Sequence, residues 1–161
     1  MTSENENRSL FQRAFGRLLH TYFLLTRGLT LGVRAIVRSE DGKFLLVRHT
    51  YTPGWHFPGG GVERGETSEV ALSKELYQET GLEVIDRPLL HGAFYNKRVS
   101  KRDHVLVYRC SVRDESSLQK NSREIADVGF FDASDLPDGT DPGTMRRIEE
   151  ILTKSDLKLH W

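Results

Sequence analysis

Glu75 and Glu79 stand four residues apart in the stretch GGGVERGETSEVALSKELYQETGL, residues 59–82. At about 100° per residue, a helix places both beside the apolar stripe set by Leu72 and Leu76. Like charges at this spacing destabilise an isolated helix slightly, and more where the effective dielectric falls at the border of a core. A hard divalent cation reverses the sign of that interaction. Mg²⁺ takes oxygen ligands, keeps several waters, and is commonly held by one or two carboxylates plus substrate phosphates. Gly59, Gly60 and Gly61 let the backbone come close to a phosphate or a metal. Glu66 falls at or just before the helix start, near enough in sequence to face the same cavity. Taken alone, an i,i+4 acid pair reads as a solvated helix face. The glycine run, the acid six residues after Gly60, the pair at 75 and 79, and then Gly81-Leu82 make a more specific pattern.

The stretch resembles the Nudix box, G-x5-E-x7-R-E-U-x-E-E-x-G-U with U aliphatic. Its register is unbroken through Gly60, Glu66 and Lys74-Glu75-Leu76-Tyr77-Gln78-Glu79-Thr80-Gly81-Leu82. GWHFPGGG (54–61) is similar to the family's approach to its box. The resemblance implies an α/β/α sandwich with a central mixed sheet. It also implies Mg²⁺-dependent hydrolysis of a nucleoside diphosphate linked to another moiety, with Mn²⁺ able to substitute. Carried over one by one, Glu75 and Glu79 match metal-ligand positions, and the backbone of Gly60 supplies a carbonyl ligand. Glu66 matches the earlier acid, which assists by holding metal-bound water. Gln78 stands where the first glutamate of the E-E pair belongs, so a neutral oxygen replaces a charged one. Lys74 replaces the usual arginine, keeping the charge but losing the bidentate fork. These departures imply a second reading, a catalytically weakened nucleotide-binding or sensor module of the same fold. Glu124 opens the strand EIADVGFF at a position resembling one where family members carry an acid, which adds it to the catalytic set with Glu66 and Glu79. Its alternative is a solvated charge at a strand end.

The densest basic cluster is KRVSKRD, with Lys97, Arg98, Lys101 and Arg102 between two apolar runs. Lys97, Arg98 and Arg102 are candidates to clamp substrate phosphates, since arginine meets phosphate oxygens two at a time. A solvated hairpin tip is the alternative. Trp55, Phe57, Phe94 and Tyr95 lie near the expected cleft, and core positions are expected for at least two of them. Subgroup markers leave nucleotide sugars, nucleoside triphosphates and ADP-ribose open.

These residues need a scaffold. LTLGVRAIVRS (29–39) and KFLLVRH (43–49) read as strands around an Asp41-Gly42 turn, a hairpin signal. Residues 52–61 read as a Pro/Gly loop. A helix is expected from Ser68 to Thr80, with Thr67 as N-cap and Gly81 closing it. Strands are expected over 83–96 and 104–112, and a last strand within 123–137. Asp141-Pro142 opens a final helix whose apolar face is Met145, Ile148, Ile151 and Leu152. The pattern is a layered α/β or α+β domain over 28–155, followed by a tail at 156–161.

Residues 1–8 read as a disordered lead. Residues 9–27 read as an amphipathic helix, with Leu10, Phe11, Ala14, Phe15, Leu18, Leu19 and Tyr22 on one face. That face fits the domain itself or a second copy of the chain as a homodimer contact, and a membrane surface is the alternative. Lys+Arg and Asp+Glu both total 23, so no global field favours nucleic acid. The expected partner is a small nucleotide-type diphosphate. A single cysteine, Cys110, excludes an intrachain disulfide and is expected in a strand as a small buried residue. No apolar run approaches the ~18 residues of a membrane span, and a cytoplasmic setting is the default expectation.

Overall fold

The computed structural model describes residue 22 and residues 28–161. The lead at 1–8 and the helix expected over 9–27 lie outside the described residues, apart from Tyr22.

Among residues 28–161, six strands and two α-helices follow in order: β1 (Thr30–Val37), β2 (Phe44–His49), β3 (Trp55–His56), α1 (Ser68–Thr80), β4 (Leu89–Tyr95), β5 (Asp103–Cys110), β6 (Ile125–Phe131) and α2 (Pro142–Thr153). One three-stranded sheet has the order β1-β5-β4, and the other β3-β2-β6. In the first, β1 runs parallel to β5 and β4 antiparallel to it, so the sheet is mixed. The second is antiparallel throughout.

Side-chain alternation builds the layers. Val33, Ala35, Val37 and Leu45 face α1, where they bury against Ala71, Leu72, Leu76 and Leu82. Ile36, Phe44, Leu46, Val105 and Val107 face the other way, toward Phe94 and Ile148 of α2. The result is the expected α/β/α sandwich.

Several boundaries differ from the sequence expectation for identifiable reasons. Ser39 and Gly42 do form a turn, but β1 and β2 share a single bridge, Arg38 to Phe44. The strands then part because β1 gives one edge to β5 and the other to residues 58–62. Along that second edge, Ala35 N donates to Pro58 O at 2.8 Å, Val33 N to Gly60 O at 2.9 Å, and Val62 N to Leu31 O at 2.8 Å. Residues 83–88 are not a strand, apart from the Val84–Val112 bridge. Pro88 has no N–H to donate there. The loop at 52–61 contains β3, where Trp55 pairs with Arg48. On α2, Met145 and Leu152 are exposed, and the buried side carries Thr144, Arg147, Ile148 and Glu150 instead. Residues 159–161 lie along the free edge of β4, with Tyr95 N donating to Leu159 O at 3.0 Å and Trp161 N to Tyr95 O at 3.1 Å.

Among the described residues, no helix is long and apolar enough to cross a membrane.

Candidate active site

The glycine turn and α1 assemble the centre. Thr67 caps α1 by accepting from Val70 N, and Gly81 closes it in the left-handed region at φ 73°. The buried stripe of α1 is Leu72, Leu76 and then Glu79, so a carboxylate occupies a core position. Oε2 of Glu79 accepts from the amide of Gly59 at 2.8 Å. Gly59 itself sits at φ +143°, and a Cβ there would lie 2.1 Å from Val33 O. At Gly60 a Cβ would lie 2.5 Å from Cδ of Glu75. The missing side chain is what lets the Glu75 carboxyl rest on the turn.

Burial favours the protonated form of both members of this pair. Burial, the largest cause, pushes Glu79 up to about 7; the Gly59 amide and Arg34 oppose the rise, while Glu75 and Glu124 add to it. Burial likewise raises Glu75, against the pull of Lys74 and Arg34. Nε2 of His49 lies 3.4 Å from Oε1 of Glu79. Burial, Arg34 and His56 hold that imidazole down at about 4, so the contact involves a neutral ring rather than an ion pair. Among the described residues, Glu79 thus has no ion-paired partner, and the nearest cation to Glu75 is Lys74 at 3.9 Å.

The other expected residues are distributed around this pair. Glu66 accepts from Glu63 N at 2.7 Å and from Lys74 Nζ at 3.1 and 3.2 Å. The Glu63 amide first, and Lys74 second among the favourable causes, hold Glu66 below the usual carboxylate range. Lys74 also lies 3.8 Å from Glu63 and 3.9 Å from Glu75, so its single charged head is shared among three acids. Glu124 is exposed but electrostatically coupled to Glu79. It is brought there because the 119–121 segment caps α1: Gln119 N donates to Thr80 O, and Asn121 Nδ2 to Tyr77 O. Thr50 N then fixes Glu124 through its carbonyl at 2.8 Å. Gln78 is exposed. The Gly60 carbonyl accepts from Val33 N, which leaves one of its two lone pairs.

A cleft of about 310 Å³ opens beside the pair, between the β1-β5-β4 sheet and the 49–56 segment. Arg34, His49, Tyr51, His56, Asn96 and Asp103 are among the polar and aromatic residues lining it. None of these six was a candidate from sequence. Arg34 carried a signal: a charge inside an apolar strand needs a partner where it is buried. Its Nη1 donates to the carbonyls of Gly59 and Phe57. The expected clamp of Lys97, Arg98 and Arg102 does not reach the cleft wall, where Val99 of the same loop stands. Arg98 instead lies 3.7 Å from Asp141, the N-cap of α2. Trp55, Phe57 and Phe94 are core residues. Cys110 is a strand residue as expected, though half-buried rather than fully buried, and burial of its thiol pushes it up to about 12.

Among the described residues, no three His, Cys, Asp or Glu side chains converge as a ready-made metal cage. Two desolvated carboxylates with only Lys74 near one of them nevertheless fit a hard divalent ion that completes its shell with water and phosphate.

Comparison with known proteins agrees with this architecture. The NUDIX domain model matches residues 28–150. A MutT-like protein of Streptomyces ambofaciens is 30% identical over 63% of this chain and 63% of its own length. An RNA pyrophosphohydrolase of Tolumonas auensis is 38% identical over 39% of this chain and 36% of its own length. Both matches span less than two thirds of the relative. The crystal structure of a MutT NUDIX hydrolase from Burkholderia pseudomallei superposes with a TM-score of 0.65 at 23% identity, covering 76% of this chain and 97% of that one. With the box in unbroken register, its glutamates on α1 and its glycines against β1, the chain belongs to the Nudix hydrolase family.

Proposed function

We propose that the protein is a divalent-metal-dependent pyrophosphohydrolase acting on a nucleoside diphosphate linked to another moiety. One observation carries the reading: Glu75 and Glu79, both desolvated, meet the Gly59-Gly60 turn at the edge of a cleft with room for a small ligand. Glu75 and Glu79, with the free lone pair of the Gly60 carbonyl, would hold Mg²⁺ or Mn²⁺. Such an ion neutralises a diphosphate and makes a bound water more acidic.

The chain's own groups do the rest. Gly59 fixes the Glu79 carboxylate through its amide. Arg34 brings a positive charge to the phosphate end of the cleft. Glu66, kept ionised by Glu63 N and Lys74, accepts hydrogen bonds from water at the centre. Glu124 stands by as a further acid beside Glu79. In the overall reaction, water adds to phosphorus, one P–O bond of the anhydride breaks, and the water's proton passes to a carboxylate. The single cysteine fits a reducing, cytoplasmic setting, and the N-terminal face a homodimer contact.

Exposed Gln78 favours a second reading, a module that binds nucleotides and turns them over poorly. A panel of nucleoside diphosphate derivatives, assayed with and without Mg²⁺, separates the two. Mg²⁺-dependent product release by wild type is expected, and Glu79→Gln should lower kcat by more than the ten- to hundredfold typical of losing an outer-shell partner of a metal. Wild-type kcat in that variant would remove Glu79 from the metal site. Binding without turnover would favour the module.

A further inference from the structure

We infer that Asp103 reads the hydroxyl groups of a pentose joined to the diphosphate, so that the cleft selects ribo- over deoxyribonucleotides. The inference rests on the pyrophosphohydrolase reading for the direction in which the substrate lies.

Asp103 is the first residue of β5, and its partner in register is Thr30 on β1. Thr30 Oγ1 donates to Asp103 Oδ1 at 2.6 Å. Asn96 Nδ2 donates to Oδ2 at 2.8 Å, from a residue only 8% exposed. The carboxylate is therefore fixed at both oxygens. An ionised carboxylate has roughly four lone-pair sites, so about two remain for a ligand. Thr30 has committed its hydroxyl proton and Asn96 an amide proton to Asp103. This end of the cleft is dominated by acceptors and calls for a ligand that donates.

The neighbouring wall is aliphatic, from Leu31, Val99 and Val105. Among the described residues, the aromatic side chains lining the cleft are Tyr51, His49 and His56, which come from the 49–56 segment rather than from β1 or β5. A vicinal diol presents two adjacent O–H donors to one carboxylate. Arg34 and Thr30 project from the same face of β1, four residues apart, which is ~13 Å at about 3.3 Å per residue. That interval suits a diphosphate followed by a pentose, with a hydrogen bond at each end. Gly32 lies between them and raises no side chain from the cleft floor.

Calorimetric titration of ADP, 2′-deoxy-ADP and 2′,3′-dideoxy-ADP into wild type and Asp103→Asn, all with Mg²⁺, tests the inference, with hydrolysis of ATP and dATP measured alongside. Wild type should bind ADP about tenfold to a hundredfold more tightly than the dideoxy analogue, as expected for hydrogen bonds to a charged group. Asp103→Asn should lose most of that discrimination while binding the dideoxy analogue as before. Equal wild-type affinities for the three would overturn the inference, as would an equal loss for all three in the variant, the mark of a loop latch. Selection by base identity alone, or no nucleotide binding, would also overturn it. Sugar discrimination in binding without turnover would sink the activity reading and leave this one standing. Turnover blind to the sugar would do the reverse.

Discussion

The amide of Gly59 donates to Oε2 of Glu79 at 2.8 Å, through a backbone conformation that a residue with a Cβ cannot adopt against Val33. This bond gives a core-facing carboxylate a partner while leaving its charge uncancelled. The first prediction follows from that charge. The folded pKa of Glu79, about 7, exceeds its ordinary 4.5. The folded state then binds the extra proton, and ionisation removes stability as pH rises from 4.5 through 7. His49 acts with the opposite sign. Its folded pKa of about 4 lies below 6.5, so stability is gained as pH rises through that window. The two effects offset each other in metal-free wild type. Glu79→Gln leaves the His49 slope alone, and thermal unfolding in chelator should show its Tm climbing more steeply than wild type between pH 4.5 and 6.5. Parallel curves would refute the assignment.

Gln78 is exposed on α1, three residues from Glu75. Gln78→Glu adds a charge beside the pair and should tighten Mn²⁺ binding severalfold. Its metal-free Tm should not rise, since like charges at helical spacing repel. Titration of Mn²⁺ into both proteins decides; equal or weaker binding by the variant counts against a cation beside Glu75.

Arg34 and Arg98 separate by position. Arg34 lines the cleft, whereas Arg98 spends its contact on Asp141 with its side chain 68% exposed. Arg34→Met should raise KM for the best substrate about tenfold or more, as for a charge-assisted bond. Arg98→Ala should shift it by about fivefold at most, the ceiling for an exposed pair. The reverse order would move phosphate recognition to the basic loop.

Arg147 is fully buried. It donates to Glu150 at 2.6 and 2.7 Å, donates to His160 O at 3.2 Å, and lies 3.9 Å above the Phe94 ring. Glu150 also accepts from Lys158 N at 3.0 Å, so one ion pair ties α2 to the C-terminal segment. Glu150→Ala leaves Arg147 charged and unpaired in the core and should cost about 3–5 kcal/mol. Urea denaturation measures it, and the double change with Arg147→Met should recover a large part. A loss under 1 kcal/mol in the single variant would mean that water reaches Arg147.

The box, its caps and the layer order were legible because each is local: Thr67, Gly81 and Asp141 act on residues three or four positions away. The cleft was not. Arg34, Asn96 and Asp103 come together only through the β1–β5–β4 register, which no single stretch encodes. Arg147 and Glu150 were hidden by a helical wheel that credits Met145 and Leu152 with burial because they are apolar. Val99 entered the cleft wall from a loop whose charges drew the expectation toward its neighbours.

The parallel pairing of β1 with β5 also sets an order of events in synthesis. Thr30 bonds Asp103 across a sequence separation of 73 residues. At roughly 5–20 residues per second, β1 waits several seconds on the ribosome for its central partner. Until then, Val33, Ala35 and Val37 are covered by the 58–62 segment, Leu45, α1 and Leu82 but not by β5. Such non-local closure slows folding. The cleft forms only when β5 docks, so a nascent chain can hold the glutamate helix and the glycine turn before it has anywhere to put a substrate.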